Sequence, residues 1–277
     1  MNKNILKGIM QIAVYLFIFI IVQVISQLTV GFASLVARGY GAAEALARMG
    51  KGLLPTDGKT LCASLAVASV FTVLLFARKR WAPVSRSYLK SRPWTVLTWT
   101  FIMALGTLIP SSFLEELTHV EMPAETLHTF TAMLREPISY PVLAVLVPLA
   151  EEMVFRGAIL RTLLTLADKR NHWIAIAISA VFFAIAHGNM AQILHVVPMG
   201  LLLGWLYYRT GSIVPSLVLH CVNNSAVYII TNLITADPEA KLTDVFGTQQ
   251  HVWMAVAFSL CLFVPALIQL ATRLKKA

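Results

Sequence analysis

The chain has 277 residues, 58% of them hydrophobic and only 13% charged, with a mean hydropathy of +0.74. A soluble domain carries about twice that share of charge, so the composition excludes a soluble fold, and continuous apolar runs without alternation argue against a transmembrane barrel. The formal charge of +9 does not point to nucleic acid, because the basic residues lie in short loops between apolar stretches, where membrane topology accounts for them.

Windows of about 20 apolar residues, the length that spans a bilayer, recur along the chain and predict an all-α, polytopic membrane bundle of about eight transmembrane helices in a single domain, 1–277. The first, Ile9–Leu35, follows Lys3 and Lys7 and exceeds the apolar core of a signal peptide, about 7–15 residues, so it reads as an uncleaved anchor. Thr60–Ala77 and Trp94–Phe113 come next, then a long run, Ile138–Leu166, holding Pro141 and Pro148. Trp173–His187, Ala191–Tyr208, Ile213–Ile234 and Val252–Leu270 complete the set. Cys62, Cys221 and Cys261 fall within apolar spans and read as small buried hydrophobes, with no disulfide or metal spacing.

Basic residues set the expected orientation. The segment after the second helix holds Arg78, Lys79, Arg80, Arg86, Lys90 and Arg92. Placing it in the cytoplasm puts both termini there too, with sixteen of the twenty-two basic residues on that side. Acidic residues such as Glu115, Glu116, Glu121, Glu125, Asp237 and Glu239 collect opposite, while Arg38, Arg48, Lys51 and Lys59 dissent. Between Glu115 and Leu134, the spacing of Leu117, Val120, Leu127, Phe130 and Leu134 fits either an amphipathic helix on the outer interface or a solvated loop. The basic loop is expected to touch lipid head groups.

Glu151 and Glu152 interrupt the long fourth run, where an acidic group costs about 2.5–3.5 kcal/mol at bilayer depth. Arg156, four residues after Glu152, can pair with it along the helix, which leaves Glu151 without an intrahelical partner. Pro148 can kink the helix one turn earlier. His187 and the pair His220 and Asn224, four apart on one helix face, reach overlapping depths at the rise of about 1.5 Å per residue. His195 reads as a packing residue, and His119, His128, His172 and His251 sit near span ends or in loops.

A carboxylate held away from water beside histidine can take a proton from a nucleophilic water, while imidazole and carboxamide hydrogen-bond the developing oxyanion. These groups therefore suffice for hydrolysis without a covalent nucleophile. Glutamate and histidine also bind zinc, but there is no His-Glu-x-x-His run, and asparagine is a poor ligand, so the cofactor-free reading is preferred over zinc.

The motifs Glu151-Glu152-Met153-Val154-Phe155-Arg156, Phe183-Ala184-Ile185-Ala186-His187 and His220-Cys221-Val222-Asn223-Asn224, with Tyr208-Arg209-Thr210-Gly211-Ser212 between the last two, resemble the CPBP family. This is the family of intramembrane CAAX proteases and bacteriocin-processing (Abi-type) proteins, and the similar core spans 137–235. The resemblance implies a glutamate-type intramembrane endopeptidase. In it Glu151 would be the base, His187 would position water, and His220 and Asn224 would form the oxyanion hole. Glu152 and Arg156 would support the site, and Phe183 would pack beneath His187. Some relatives were described as metalloproteases. The implied partners are the lipid bilayer and a peptide or membrane-protein substrate, prenylated in the eukaryotic case. The short chain looks like the bacterial members of the cytoplasmic membrane. The resemblance and the place of His220 in its helix suggest a cavity open to the cytoplasm. Two other classes remain: a proton- or ion-coupled transporter using the glutamates, and a non-enzymatic bacteriocin-immunity protein of the same fold.

Overall fold

The computed structural model describes the chain except for residues 1–2, 84–85, 119, 121, 168, 189, 235–239 and 275–277; the side chains of 86, 118, 169, 190–192 and 194–195 also lie outside the description. His119, Glu121, Asp237, Glu239, Lys275, Lys276 and the side chain of His195 are therefore among the residues not described.

The fold is an all-α membrane bundle. Helices α1 (Lys3–Ala37), α2 (Ala42–Gly50), α3 (Gly58–Arg78), α4 (Arg86–Lys90), α5 (Trp94–Thr118) and α6 (Ala124–Leu134) come first. A long helical path, α7 (residues 140–166), follows, then α8 (His172–Ala186), α9 (Met190–Thr210), α10 (residues 213–234), α11 (Leu242–Phe246) and α12 (Gln249–Arg273). Every apolar run read from the sequence is helical, and among the described residues five helices are long and apolar enough to cross a membrane. Their outer faces are oily, with Phe17, Phe71 and Phe258 more than 60% exposed. Such surface is stable only against lipid. Cys261 is also exposed on α12, rather than buried as the sequence suggested, while Cys62 is buried and Cys221 half-buried.

Helix α1 buries Gly8, Ile12, Tyr15, Phe19, Ser26, Gly31 and Leu35, a stripe at helical spacing that packs along α3. Likewise α5 packs along α12 and α8 along α9. The N-terminus of α3 is capped by Asp57, which accepts from Thr60 N at 3.1 Å and Thr60 Oγ1 at 2.9 Å and is also bonded by Arg38. These bonds and the Arg38 charge hold the Asp57 carboxyl below its usual range, although its partial burial works the other way.

The segment at Glu115–Leu134 does contain a helix, but α6 is docked on protein. Cys62 Sγ lies 3.5 Å from Met133 O, and Asn232 Nδ2 donates to Leu134 O at 3.2 Å. Gly58 permits this approach, because a β-carbon there would run into the Ala132 carbonyl.

The path α7 alternates in pitch. Tyr140–Leu146 is π-helical, Val147–Glu152 α-helical, Met153–Leu160 π-helical and Arg161–Leu166 α-helical. In the first wide turn Val147 N–H donates to Val142 O, five residues back. The next donor in that register would be Pro148, which has no N–H. The helix that Pro148 can kink is widened before and after the two glutamates, a device common at functional sites.

Candidate active site

The two carboxylates on α7 face different surroundings. Glu152 is fully buried, and its Oε1 accepts from Arg156 Nη1 at 2.9 Å. The same oxygen lies 3.1 Å from His220 Nδ1 on α10. Arg156, also fully buried, spends Nη2 on the Gly200 carbonyl at 3.3 Å and lays its guanidinium 4.2 Å from the centre of the Phe183 ring. Gly200 lets α9 come close, since a β-carbon there would sit 2.9 Å from Ala180 Cβ.

Glu151, 18% exposed, points to the other nitrogen of the same imidazole, with its Oε2 3.5 Å from His220 Nε2. That is ion-pair range and longer than a good hydrogen bond. The intrahelical partner missing for Glu151 in the sequence is thus supplied by another helix. His220 is clamped between both glutamates, and because a carboxylate only accepts from its neighbours, Nδ1 carries a proton toward Glu152.

His187 caps α8 and is half-buried. Its Nδ1 lies 2.9 Å from the Phe183 carbonyl. A carbonyl cannot donate, so the proton sits on Nδ1, and in the neutral ring Nε2 keeps its lone pair. Phe183 joins the two histidines, edge-on to His187 at 4.8 Å and to His220 at 5.6 Å between ring centres.

Asn224 Nδ2 donates to Leu143 O at 2.9 Å. That carbonyl is the one the Pro148 N–H would have served in the wide turn, so Asn224 repairs a gap made by proline. Its carboxamide is fixed, with a second N–H to spare.

Glu151, Phe183, His187, His220 and Asn224 all line one cavity of about 660 Å³. Its remaining wall comes from Leu143 and Val147, Val196 and Met199, Val227 and Thr231, Glu115, and α6. Thr231 lies eleven residues beyond His220, so the cavity runs about 16 Å along α10. It extends toward the end of the bundle holding α6, away from the end holding both termini. At the latter end Gly8 meets Leu166, and Arg209 bonds Ala271. Both termini inside and a cavity open to the cytoplasm, each expected from the sequence, exclude one another in this fold.

Residues 133–226 match the profile of the family described as type II CAAX prenyl endopeptidase Rce1-like. This segment is similar to the CAAX-protease (CPBP) family. A curated relative, named "Putative membrane peptidase YdiL" of Bacillus subtilis (strain 168), is 32% identical over 94 residues, which cover 34% of this chain and 37% of that protein. The aligned segment thus spans little more than a third of that relative. No solved structure matches the chain. Of the cavity's lining residues, the family segment leaves out Val227, Thr231, Glu115 and the others before Met133, so the far wall of the cavity lies largely outside it.

Zinc, reported for some CAAX-protease relatives, fits the donors poorly. Glu151, His187 and His220 all line the cavity, but among the described residues no three His, Cys, Asp or Glu side chains are grouped so as to hold a metal ion, short of the three protein ligands of a catalytic zinc. Sequence reading missed several supports of this site. Ser216, buried beside Glu152 one turn before His220, is one. Ser179, whose hydroxyl donates to Phe155 O at 2.9 Å, is another. The i, i+4 spacing of Ser216 to His220 was the available signal; the Leu143 carbonyl gave none.

Proposed function

We propose that this chain is an intramembrane endopeptidase of the bacterial cytoplasmic membrane that cleaves peptide or membrane-protein substrates with a glutamate-activated water and no cofactor. The observation that carries this reading is the approach of Glu151 and His220, 3.5 Å apart, on the wall of a cavity large enough for a peptide segment. In the ion-paired form Glu151 is a carboxylate and His220 Nε2 is a donor. Water, hydrogen-bonded to the His187 Nε2 lone pair, attacks the peptide carbonyl while Glu151 takes its proton. The carbonyl oxygen becomes an oxyanion held by His220 Nε2–H and the spare N–H of Asn224. Collapse breaks the C–N bond, and Glu151 returns the proton to the departing amine nitrogen. Glu152 and Arg156 hold the imidazole in place and do not touch the reacting atoms.

The test compares the termini of membrane peptides in cells producing the intact chain and in cells producing Glu151→Gln. A set of termini that disappears in the variant is the expected result; identical sets would remove the peptidase assignment.

A further inference from the structure

The cavity is polar at its floor, and its lining runs from Glu151 and His220 to α6. No residue of α4, of residues 161–166 or of the turn between α9 and α10 lines it. Its charged lining residues besides Glu151 are Glu115 and Glu125, and no lysine or arginine contributes.

The two ends of the bundle differ sharply in basic residues. Among the described residues, Lys3, Lys7, those of 78–92, Arg161, Lys169, Arg170, Arg209 and Arg273 lie at the end with the termini. Arg38, Arg48, Lys51, Lys59, Arg135 and Lys241 lie at the α6 end, where Asp57 binds Arg38 and Glu44 binds Arg48. Short loops rich in lysine and arginine stay in the cytoplasm, so the α6 end is the one that crosses.

We infer that the catalytic cavity is entered from the extracytoplasmic face, and that the substrate class is a peptide or membrane-anchored chain whose cleavage segment has already been exported. This rests on the peptidase reading above. Glu151 lies at the inner end of a passage about 16 Å long whose outer wall is α6. A translocation step must therefore supply the substrate, and a chain tail confined to the cytoplasm cannot reach the site.

The experiment uses the full chain in intact bacterial cells, with Cys62, Cys221 and Cys261 replaced by serine. Single cysteines are introduced as Glu125→Cys in α6, Glu44→Cys in α2 and Ser87→Cys in α4, all at exposed positions. The probe is a membrane-impermeant polyethylene glycol maleimide, read as a mobility shift. Glu44→Cys and Glu125→Cys should react in intact cells, and Ser87→Cys only after lysis. The reverse pattern, or reaction of Glu44→Cys only after lysis, overturns the inference. In the terminus comparison, sites lost with Glu151→Gln should map to extracytoplasmic segments; cytoplasmic sites would overturn the inference while leaving the peptidase standing. If no site is lost, the peptidase reading fails, and the labelling still reports which face the cavity meets.

Discussion

Glu151 and Glu152 are neighbours in sequence and opposites in setting. Glu152 has no exposed surface and is held by Arg156 and His220, whereas Glu151 faces the cavity and meets only the far nitrogen of that imidazole. The buried floor is a framework whose charges balance one another. The cavity wall carries one carboxylate paired only at 3.5 Å, one imidazole lone pair and one spare amide N–H. Full burial thus marks Glu152 and Arg156, which hold the imidazole, and partial exposure marks Glu151, His187 and Asn224, while the buried His220 joins the two sets.

The sharpest way to break this contrast is Arg156→Ala. Removing one partner of a buried pair costs about 3–5 kcal/mol, so folded yield and thermal midpoint should fall steeply and activity with them. Pairing Arg156→Met with Glu152→Leu should recover much of the stability, because apolar replacement of a buried pair is often neutral. The imidazole would then lose its anchor, and cleavage should stay absent. Recovery of both would show that the floor does not position His220.

Glu151→Gln should act only on chemistry. Loss of a general base lowers rate by about 10²–10⁴-fold, while thermal unfolding in detergent should match the intact chain. Asn224→Ala falls between the two regions. It should lower kcat by about 10²–10³-fold if the spare N–H serves the oxyanion, and it should cost about 1–3 kcal/mol by orphaning the Leu143 carbonyl. A rate loss with no stability loss would mean that water replaces the carboxamide at Leu143.

The smallest effect is expected far from the site, at the α3 cap. The Asp57 carboxyl is held below its usual range by Thr60 and Arg38, against its partial burial. A depressed carboxyl stabilises the fold at neutral pH, and that contribution disappears as pH falls through the folded-state value. The Asp57 side chain is 41% exposed, so Asp57→Asn should cost no more than about 1 kcal/mol at pH 7. Melting curves of the two proteins should converge in strong acid.

Much of this was legible in the chain because the signals are local. Apolar runs located every long helix, and four-residue spacing gave the Glu152–Arg156 pair before any packing was known. The same spacing put His220 and Asn224 on one face, as found. Less legible were α2, α4 and α11, short helices without an apolar run, and the docking of α6, whose pattern fits a membrane interface as well as a protein groove.

The sequence by itself determined a membrane bundle and the polar residues that gather at the cavity, since hydropathy and helical period depend only on neighbours along the chain. Tertiary structure alone decided how those residues divide their work. One imidazole bridges two adjacent glutamates because α10 crosses α7 at that height. Asn224 is fixed by a carbonyl that Pro148 cannot serve. The cavity runs toward α6 because that helix walls the end opposite the termini, and contacts between distant helices leave no period in the chain to read.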